Sequence, residues 1–259
     1  MSIIRTYEEQ EYKEGYTLSK SNVLSGVTPV ITNPSGDDPS NLSDYDHSLN
    51  YTCNPTPDNF IISYGEHLNV NYVGISGHNS ATSEQATIEL YDEDELLQAV
   101  VLTRNHNIMF TFSSRSFTDL RIKFVRSPSF NPVTVSYIAA GEAITIESGE
   151  QAGYSRAWLK RGIVQSMSTN AITAPISGMQ KGKALSATLS LPNELATFIE
   201  GEWQDFIDFS YTQPFFVKEV SNKPESTYLC YNPIHDVRAH PQTRVLDAVT
   251  CKFDAFNGL

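Results

Sequence analysis

The sequence predicts a mostly β protein in two parts, an N-terminal β-sandwich followed by a β-sandwich or barrel-like unit that carries one packed helix. Three observations predict it. Apolar residues recur at every second position in a series of short segments between Asn59 and Tyr137. That series breaks near residue 140. Beyond the break, one stretch near residues 193–209 changes to helical spacing. The division therefore reads 1–140 for the first unit and 141–259 for the second.

The first forty residues are polar and rich in turn formers. Asn33-Pro34-Ser35-Gly36-Asp37-Asp38-Pro39-Ser40 cannot continue a helix or a central strand, so an irregular lead-in is expected. Phe60, Ile62 and Tyr64 then share one strand face, and Val70, Tyr72 and Gly74 begin another segment. Ile88 and Leu90 alternate with Thr87 and Glu89 ahead of an exposed connection, Asp92-Glu93-Asp94-Glu95. Leu96 to Leu102 follow it, which predicts a hairpin. Ile108, Phe110 and Phe112 mark one more strand. Leu120, Ile122 and Phe124, alternating with Arg121, Lys123 and Val125, mark the clearest half-buried one. Val133, Val135 and Tyr137 complete the first series after Pro132.

In the second unit Leu185, Ala187, Leu189 and Leu191 alternate with polar neighbours. Pro192-Asn193-Glu194 supplies a helix cap, and Leu195, Phe198, Ile199, Trp203, Phe206 and Ile207 fall on one helical face. Gly201, inside that helix, points to close packing or a bend. Strands are expected around Phe215-Phe216-Val217, Tyr228-Leu229-Cys230-Tyr231 and Val249-Thr250-Cys251-Lys252-Phe253.

Composition narrows the partners. Hydrophobic residues make up 40% of 259, with 13 Tyr and 13 Phe, enough for a real core. Eighteen Lys and Arg against 30 Asp and Glu give a formal charge of -12, which opposes a non-specific grip on nucleic acid or an anionic membrane. No apolar run is long enough for membrane insertion, and Met1-Ser2-Ile3-Ile4-Arg5 does not open a signal peptide. Synthesis in the cytoplasm is expected, with Cys53, Cys230 and Cys251 as free thiols.

No Gly-rich phosphate loop, His-Glu-x-x-His, Cys-x-x-Cys or Gly-x-Ser-x-Gly motif is present. Ser76-Gly77-His78-Asn79-Ser80 has the residues for a base and a nucleophile but no second partner. It is read as a tight connection whose His78 and Asn79 satisfy backbone groups. Asp92 to Glu95 could ligate calcium, but they lack the spacing of a dedicated loop and read as a solvated turn. Cys230, His235, His240 and Cys251 have the donor types for a transition metal, yet both cysteines sit in apolar strand patterns. Core thiols beside surface histidines, with no metal, are expected. Asn105-His106-Asn107 is read as loop polarity. Arg104, Arg115, Arg121 and Arg126, with Lys123, are read as a solvated strand face ahead of a patch for an acidic partner. No residue is assigned a catalytic, cofactor-binding or metal-binding role, no cofactor is expected, and the chain is expected not to be an enzyme.

Three stretches carry a resemblance. They are Pro39-Ser40-Asn41-Leu42-Ser43-Asp44-Tyr45-Asp46-His47-Ser48-Leu49-Asn50-Tyr51, Phe60-Ile61-Ile62-Ser63-Tyr64-Gly65-Glu66 and Val70-Asn71-Tyr72-Val73-Gly74-Ile75-Ser76-Gly77-His78-Asn79. Together they resemble the opening of a galactose-binding-like jelly roll, most closely the version in tail proteins of tailed bacteriophages. There an Ala-Gly-x-Ala segment follows, here Ala140-Gly141-Glu142-Ala143, and then a second domain similar to the tail-tube and distal-tail fold. The resemblance covers most of residues 20–259. It implies a structural virion protein of a tail tip or baseplate that forms a homo-oligomeric ring around the tail axis. The implied neighbours are the tail tube, tail hub, tape measure or fibres, and the implied location is the virion tail. Tyr51 stands where a Trp is expected, and no sugar-contacting set matches residue by residue. Recognition of a host surface glycan by a carbohydrate-binding module is therefore the alternative.

Overall fold

The computed structural model describes residues 14–31, 37–43, 50–52, 59–64, 68–81, 86–125, 132–146, 153–159, 185–239 and 246–256. It is mostly β, with strands in sheets of seven, five, three and two among the described residues. Cys53, Arg126, His240 and the first thirteen residues lie outside them.

The five-stranded sheet runs Val30–Ile31, Asn59–Tyr64, Leu120–Val125, Ala86–Asp92, Glu95–Leu102, and all of its pairings are antiparallel. Its inner face is the alternation expected from the sequence: Ile62, Tyr64, Ile88, Leu90, Leu120, Ile122 and Phe124 are all buried. They pack with Val70, Val73, Ile75, Ile108, Phe110, Ile138 and Ala140, so one core closes a β-sandwich. All seven of those come from the three-stranded sheet of Tyr137–Gly141, Leu68–Ser76 and Ile108–Phe117. The predicted hairpin turns at Glu93 and Asp94, and Glu93 takes a left-handed φ of 52°.

Val70 and Tyr72 do not share a face. A register shift between them in the pairing with Ile108–Phe117 turns Val70, Val73 and Ile75 towards the sandwich core. Tyr72 turns the other way, into a second cluster with Met109, Tyr137, Ala139, Phe216 and Leu229. The three-stranded sheet is thus buried on both faces, which explains why every residue of Tyr137–Gly141 is buried.

What covers its outer face is the seven-stranded sheet, ordered Ala143–Ile146, Glu14–Ser19, Phe215–Val220, Thr227–Ala239, Leu246–Phe256, Leu185–Leu195, Gly153–Leu159. Residues 14–19, placed with the first unit by the sequence division, belong here. Thr17 and Leu18 pair with Lys218 and Val217 on one side and with Thr145 and Ile144 on the other. The chain enters this sheet, leaves to build the sandwich, and returns at Ala143. One side-chain and one backbone hydrogen bond tie the parts together: Asn107 Nδ2 donates to the Phe256 carbonyl at 2.6 Å, and the Met109 amide donates to the Pro224 carbonyl at 3.0 Å.

One face of the seven-stranded sheet carries the helix. It covers Ala196–Phe198, a π-helical stretch Ile199–Trp203, and Gln204–Thr212. Its start differs from the expected 193, because the strand Leu185–Leu195 runs on through Asn193 and Glu194 and pairs with Asp247 and Leu246 after a register shift. Trp203 and Phe206 are fully buried against Leu189, Leu191, Phe215, Val249 and Phe253. Gly201 is not packed closely: a Cβ there would meet nothing within 4 Å. The irregularity at this position is the π-helical stretch itself. No helix among the described residues is long and apolar enough to cross a membrane.

Candidate functional site

His78 is the most constrained polar group of the sandwich. Its Nε2 lies 2.6 Å from the His106 carbonyl, which can only accept, so Nε2 carries the proton and Nδ1 accepts from the Ser80 hydroxyl at 2.8 Å. Burial pushes its pKa down to about 4, and the imidazole stays neutral. Asn79 bridges the Thr134 amide and the Pro132 carbonyl. The loop is therefore pinned by its polar residues. Ser80 and His78 are 7% and 2% exposed, so the pair has no access for a substrate.

Asn105-His106-Asn107 does more than supply loop polarity. Asn105 Oδ1 accepts from the Ala81 amide, and Asn107 is completely buried, accepting from Ser76 while it donates to Phe256. The sequence signal for this was slight: a small amide immediately before the alternating run at Ile108.

Three of the five basic residues singled out in the sandwich are neutralised in place; Arg104 is exposed, and no ion pair is seen for it among the described residues. Arg115 binds Asp92 at 2.7 Å and Glu95 at 3.3 Å, Arg121 binds Asp119 at 2.7 Å and Asp94 at 2.9 Å, and Lys123 binds Glu89 at 3.3 Å. The acidic turn that could have ligated calcium is thereby spent on guanidinium groups. Between these pairs, on the outer face of the five-stranded sheet, lies a hollow of about 270 Å³ lined by Ile61, Tyr91, Glu93, Asp94, Arg121 and Lys123. The Lys123 ammonium sits 5.8 Å from the centre of the Tyr91 ring, and the Tyr91 hydroxyl donates to Glu89. An apolar ring edge beside several charged donors and acceptors is the chemistry that a polyhydroxylated ring requires.

Of the four residues with metal-donor chemistry, His240 lies outside the described residues, and the other three form no metal-binding group. Cys230 and Cys251 are both fully buried, and desolvation raises their pKa values, that of Cys251 to about 12. They are core thiols, as expected. His235 lies opposite Cys251 in the strand pairing, but its ring meets Trp203, Phe206 and Tyr211, and its Nε2 is 2.9 Å from Ser210 Oγ. Burial holds its pKa near 4. No group of three or more potential metal donors exists among the described residues.

A second open feature has no counterpart in the sequence reading. A groove of about 730 Å³ runs between the C-terminal end of the helix, Ser210 to Pro214, and the strand residues Leu229 and Tyr231 to Ile234. Tyr211 is 60% exposed and Ile234 66%, and Tyr231 and Val237 are exposed as well. The strand bulges here, with Asn232 at a φ of 53° and its amide bonded to Asp254. Tyr211, Pro214, Leu229, Tyr231 and Ile234 give the groove apolar walls.

No protein-family model matches the chain, and no curated protein matches it. Among solved structures it is similar to a chitosan-binding module of a chitosanase/glucanase from Paenibacillus sp. IK-5 (16% identity, 46% of this chain and 96% of that one, TM-score 0.36). A fucose-binding module from Streptococcus pneumoniae gives 12% identity, 47% and 94% coverage and a TM-score of 0.36. A module from Clostridium perfringens solved with GlcNAc-α-1,4-galactose gives 13%, 47%, 95% and 0.34. Identities this low concern the fold alone, and each likeness spans less than half of this chain.

Proposed function

We propose that this chain is a non-catalytic binding protein with two working ends. The sandwich recognises a carbohydrate, and the seven-stranded sheet holds it in a larger assembly, the tail tip or baseplate of a bacteriophage. The observation that carries the reading is the union of the two parts. Phe216, Tyr137, Asn107 and Met109 lock the sandwich onto the sheet, leaving two outward surfaces of opposite chemistry, a polar hollow beside Tyr91 and an apolar groove beside Tyr211.

A sugar suits the hollow because its C–H face packs on Tyr91 and Ile61 while its hydroxyls bond to Arg121 and Glu93. The case for this chain rests on its own hollow. A glycan array followed by calorimetry tests it: saturable binding that Tyr91→Ala and Arg121→Ala each weaken at least tenfold supports the carbohydrate end, and no binding to any glycan removes it.

The assembly end is favoured by the exposed strip of Tyr211, Tyr231, Ile234 and Val237 on an acidic chain that gains nothing from leaving it in water. Light scattering of the full chain and labelling of purified virions test it. Self-association and a signal at the tail tip are the expected results. A monomer at high concentration that is absent from virions overturns the tail reading.

A further inference from the structure

The five-stranded sheet ends on two unequal edges. One is Val30–Ile31, a strand of two residues, the kind of short edge by which sheets avoid pairing with other chains. The other is Glu95–Leu102, eight residues long, and among the described residues no strand pairs with its outer side. After Glu95 it reads Leu96-Leu97-Gln98-Ala99-Val100-Val101-Leu102, without a charge, a proline or a glycine, and Leu96 is 50% and Val101 53% exposed. A register shift near Leu97 disturbs its start and leaves Gln98 to Leu102 in regular pairing. Such an edge is a template for another strand.

Charge and symmetry decide which strand fits it. Asp92 and Glu95 are bonded to Arg115, and Asp94 to Arg121. Arg104, just beyond the strand, and Glu93, in the turn before it, are both exposed, and no ion pair is seen for either among the described residues. When two identical strands pair antiparallel about a two-fold axis, one residue faces its own copy. With Ala99 at that place, Gln98 faces Val100, Leu97 faces Val101, and Arg104 of each copy comes to the turn at Glu93 and Asp94 of the other. Ala99 is exposed and small, so the backbones can close to hydrogen-bonding distance. Centred instead on Gln98, whose amide is held by the Thr111 carbonyl, the pairing would bring Arg104 to Asp92, which Arg115 already neutralises.

We propose that two copies of this chain pair through Glu95–Leu102, antiparallel and centred on Ala99, so that their five-stranded sheets become one continuous sheet. The contact covers Leu96 and Val101 and gives Arg104 an acidic partner, twice by symmetry. Its strands meet along an uncharged run, which suits a chain of formal charge -12. This surface lies on the sandwich and goes beyond the assembly reading above, which concerns the strip beside Tyr211.

Disulfide trapping and light scattering of the full chain test it, with Cys53→Ser in every trapping variant. Ala99→Cys should oxidise to a covalent dimer, because residues directly opposite in an antiparallel pair lie within disulfide reach. Val101→Cys, which faces Leu97 of the other copy, should stay uncrosslinked. Ala99→Lys sets two ammonium groups face to face and should give monomers, with circular dichroism to establish that it folds. Arg104→Glu should raise the dissociation constant of the dimer about tenfold. Adding Glu93→Lys to it should restore the dimer, a recovery that a folding defect would not produce. Equal trapping at positions 99 and 101, or a dimer that survives Ala99→Lys, overturns the inference. Tyr211→Ser with Ile234→Ser should leave this dimer intact; association that is lost in that variant and kept in Ala99→Lys sinks the edge contact while the assembly reading stands. A chain that is monomeric at every concentration and is not trapped by Ala99→Cys ends both.

Discussion

The ring of Phe216 occupies the space that a Cβ on Gly74 would need, and it stacks on Tyr137 with centroids 6.0 Å apart and planes 10° from parallel. Gly74 lies on the sandwich and Phe216 on the seven-stranded sheet. Glycine is required here for closeness of approach, and what it admits is the contact that fixes the two parts to each other.

Gly74→Ala should therefore cost about 1–3 kcal/mol, because the fully buried Phe216 has nowhere to retreat. Urea unfolding measures it. Adding Phe216→Leu to Gly74→Ala should cost less than the sum of the two separate losses, the coupling that shared space produces. Additive losses would place the clash elsewhere.

This contact also shows what was legible in the sequence. Leu120, Ile122 and Phe124 could be read at once, because one face of their strand meets water and the other the core. Tyr72 and Gly74 could not. Their strand is buried on both faces and slips register after Val70, so alternation no longer tells the two sides apart. The strand Glu14–Ser19 falls in what the sequence reads as an irregular lead-in, for a different reason: its partner Phe215–Val220 lies some two hundred residues away, a distance no local pattern spans. The hollow beside Tyr91 was half visible, since its Arg121, Lys123 and acidic turn were singled out while their mutual pairing was not. The groove was hidden because Tyr211 and Ile234 look like core residues until their exposure is known.

His78 should make the protein acid-sensitive above the range of the carboxylates. Its folded pKa, about 4, lies below the ordinary histidine value of 6.5, so the unfolded chain takes up the proton first as pH falls. The stability it contributes is complete above pH 6.5 and is lost progressively towards pH 4, by about 3 kcal/mol in all. His78→Gln should lower stability at pH 7 but remove this slope. Equal slopes in the two proteins between pH 6.5 and 5 would show that His78 is protonated without unfolding the loop.

Two substitutions on the helix should act in opposite directions. Trp203→Ala removes a fully buried indole packed on Phe206 and His235, and should cost about 3–5 kcal/mol. Gly201→Ala adds a methyl group into open space at a helical backbone, and should stabilise by up to about 1 kcal/mol. Thermal unfolding compares them. A loss at Gly201→Ala would mean that the π-helical stretch needs glycine.

Lys218 sits at the joint between sheet and sandwich, 1% exposed, donating to Thr111 Oγ1 and to the Ser221 carbonyl. Among the described residues no carboxylate is bonded to its ammonium group, and desolvation pushes its pKa down to about 8. Below pH 8 the lysine is charged in both the folded and the unfolded chain, and the folded state bears the full cost of burying the charge. Between pH 8 and 10.5 the folded chain has released its proton while the unfolded chain still holds one, so folding gains stability as pH rises. The gain approaches about 3 kcal/mol across that window. Measured against Lys218→Met, which has no proton to lose, the natural chain should draw level or move ahead between pH 8 and 10 in urea unfolding. A difference that stays flat across this range would mean that water reaches Nζ and that the joint is looser than its packing implies.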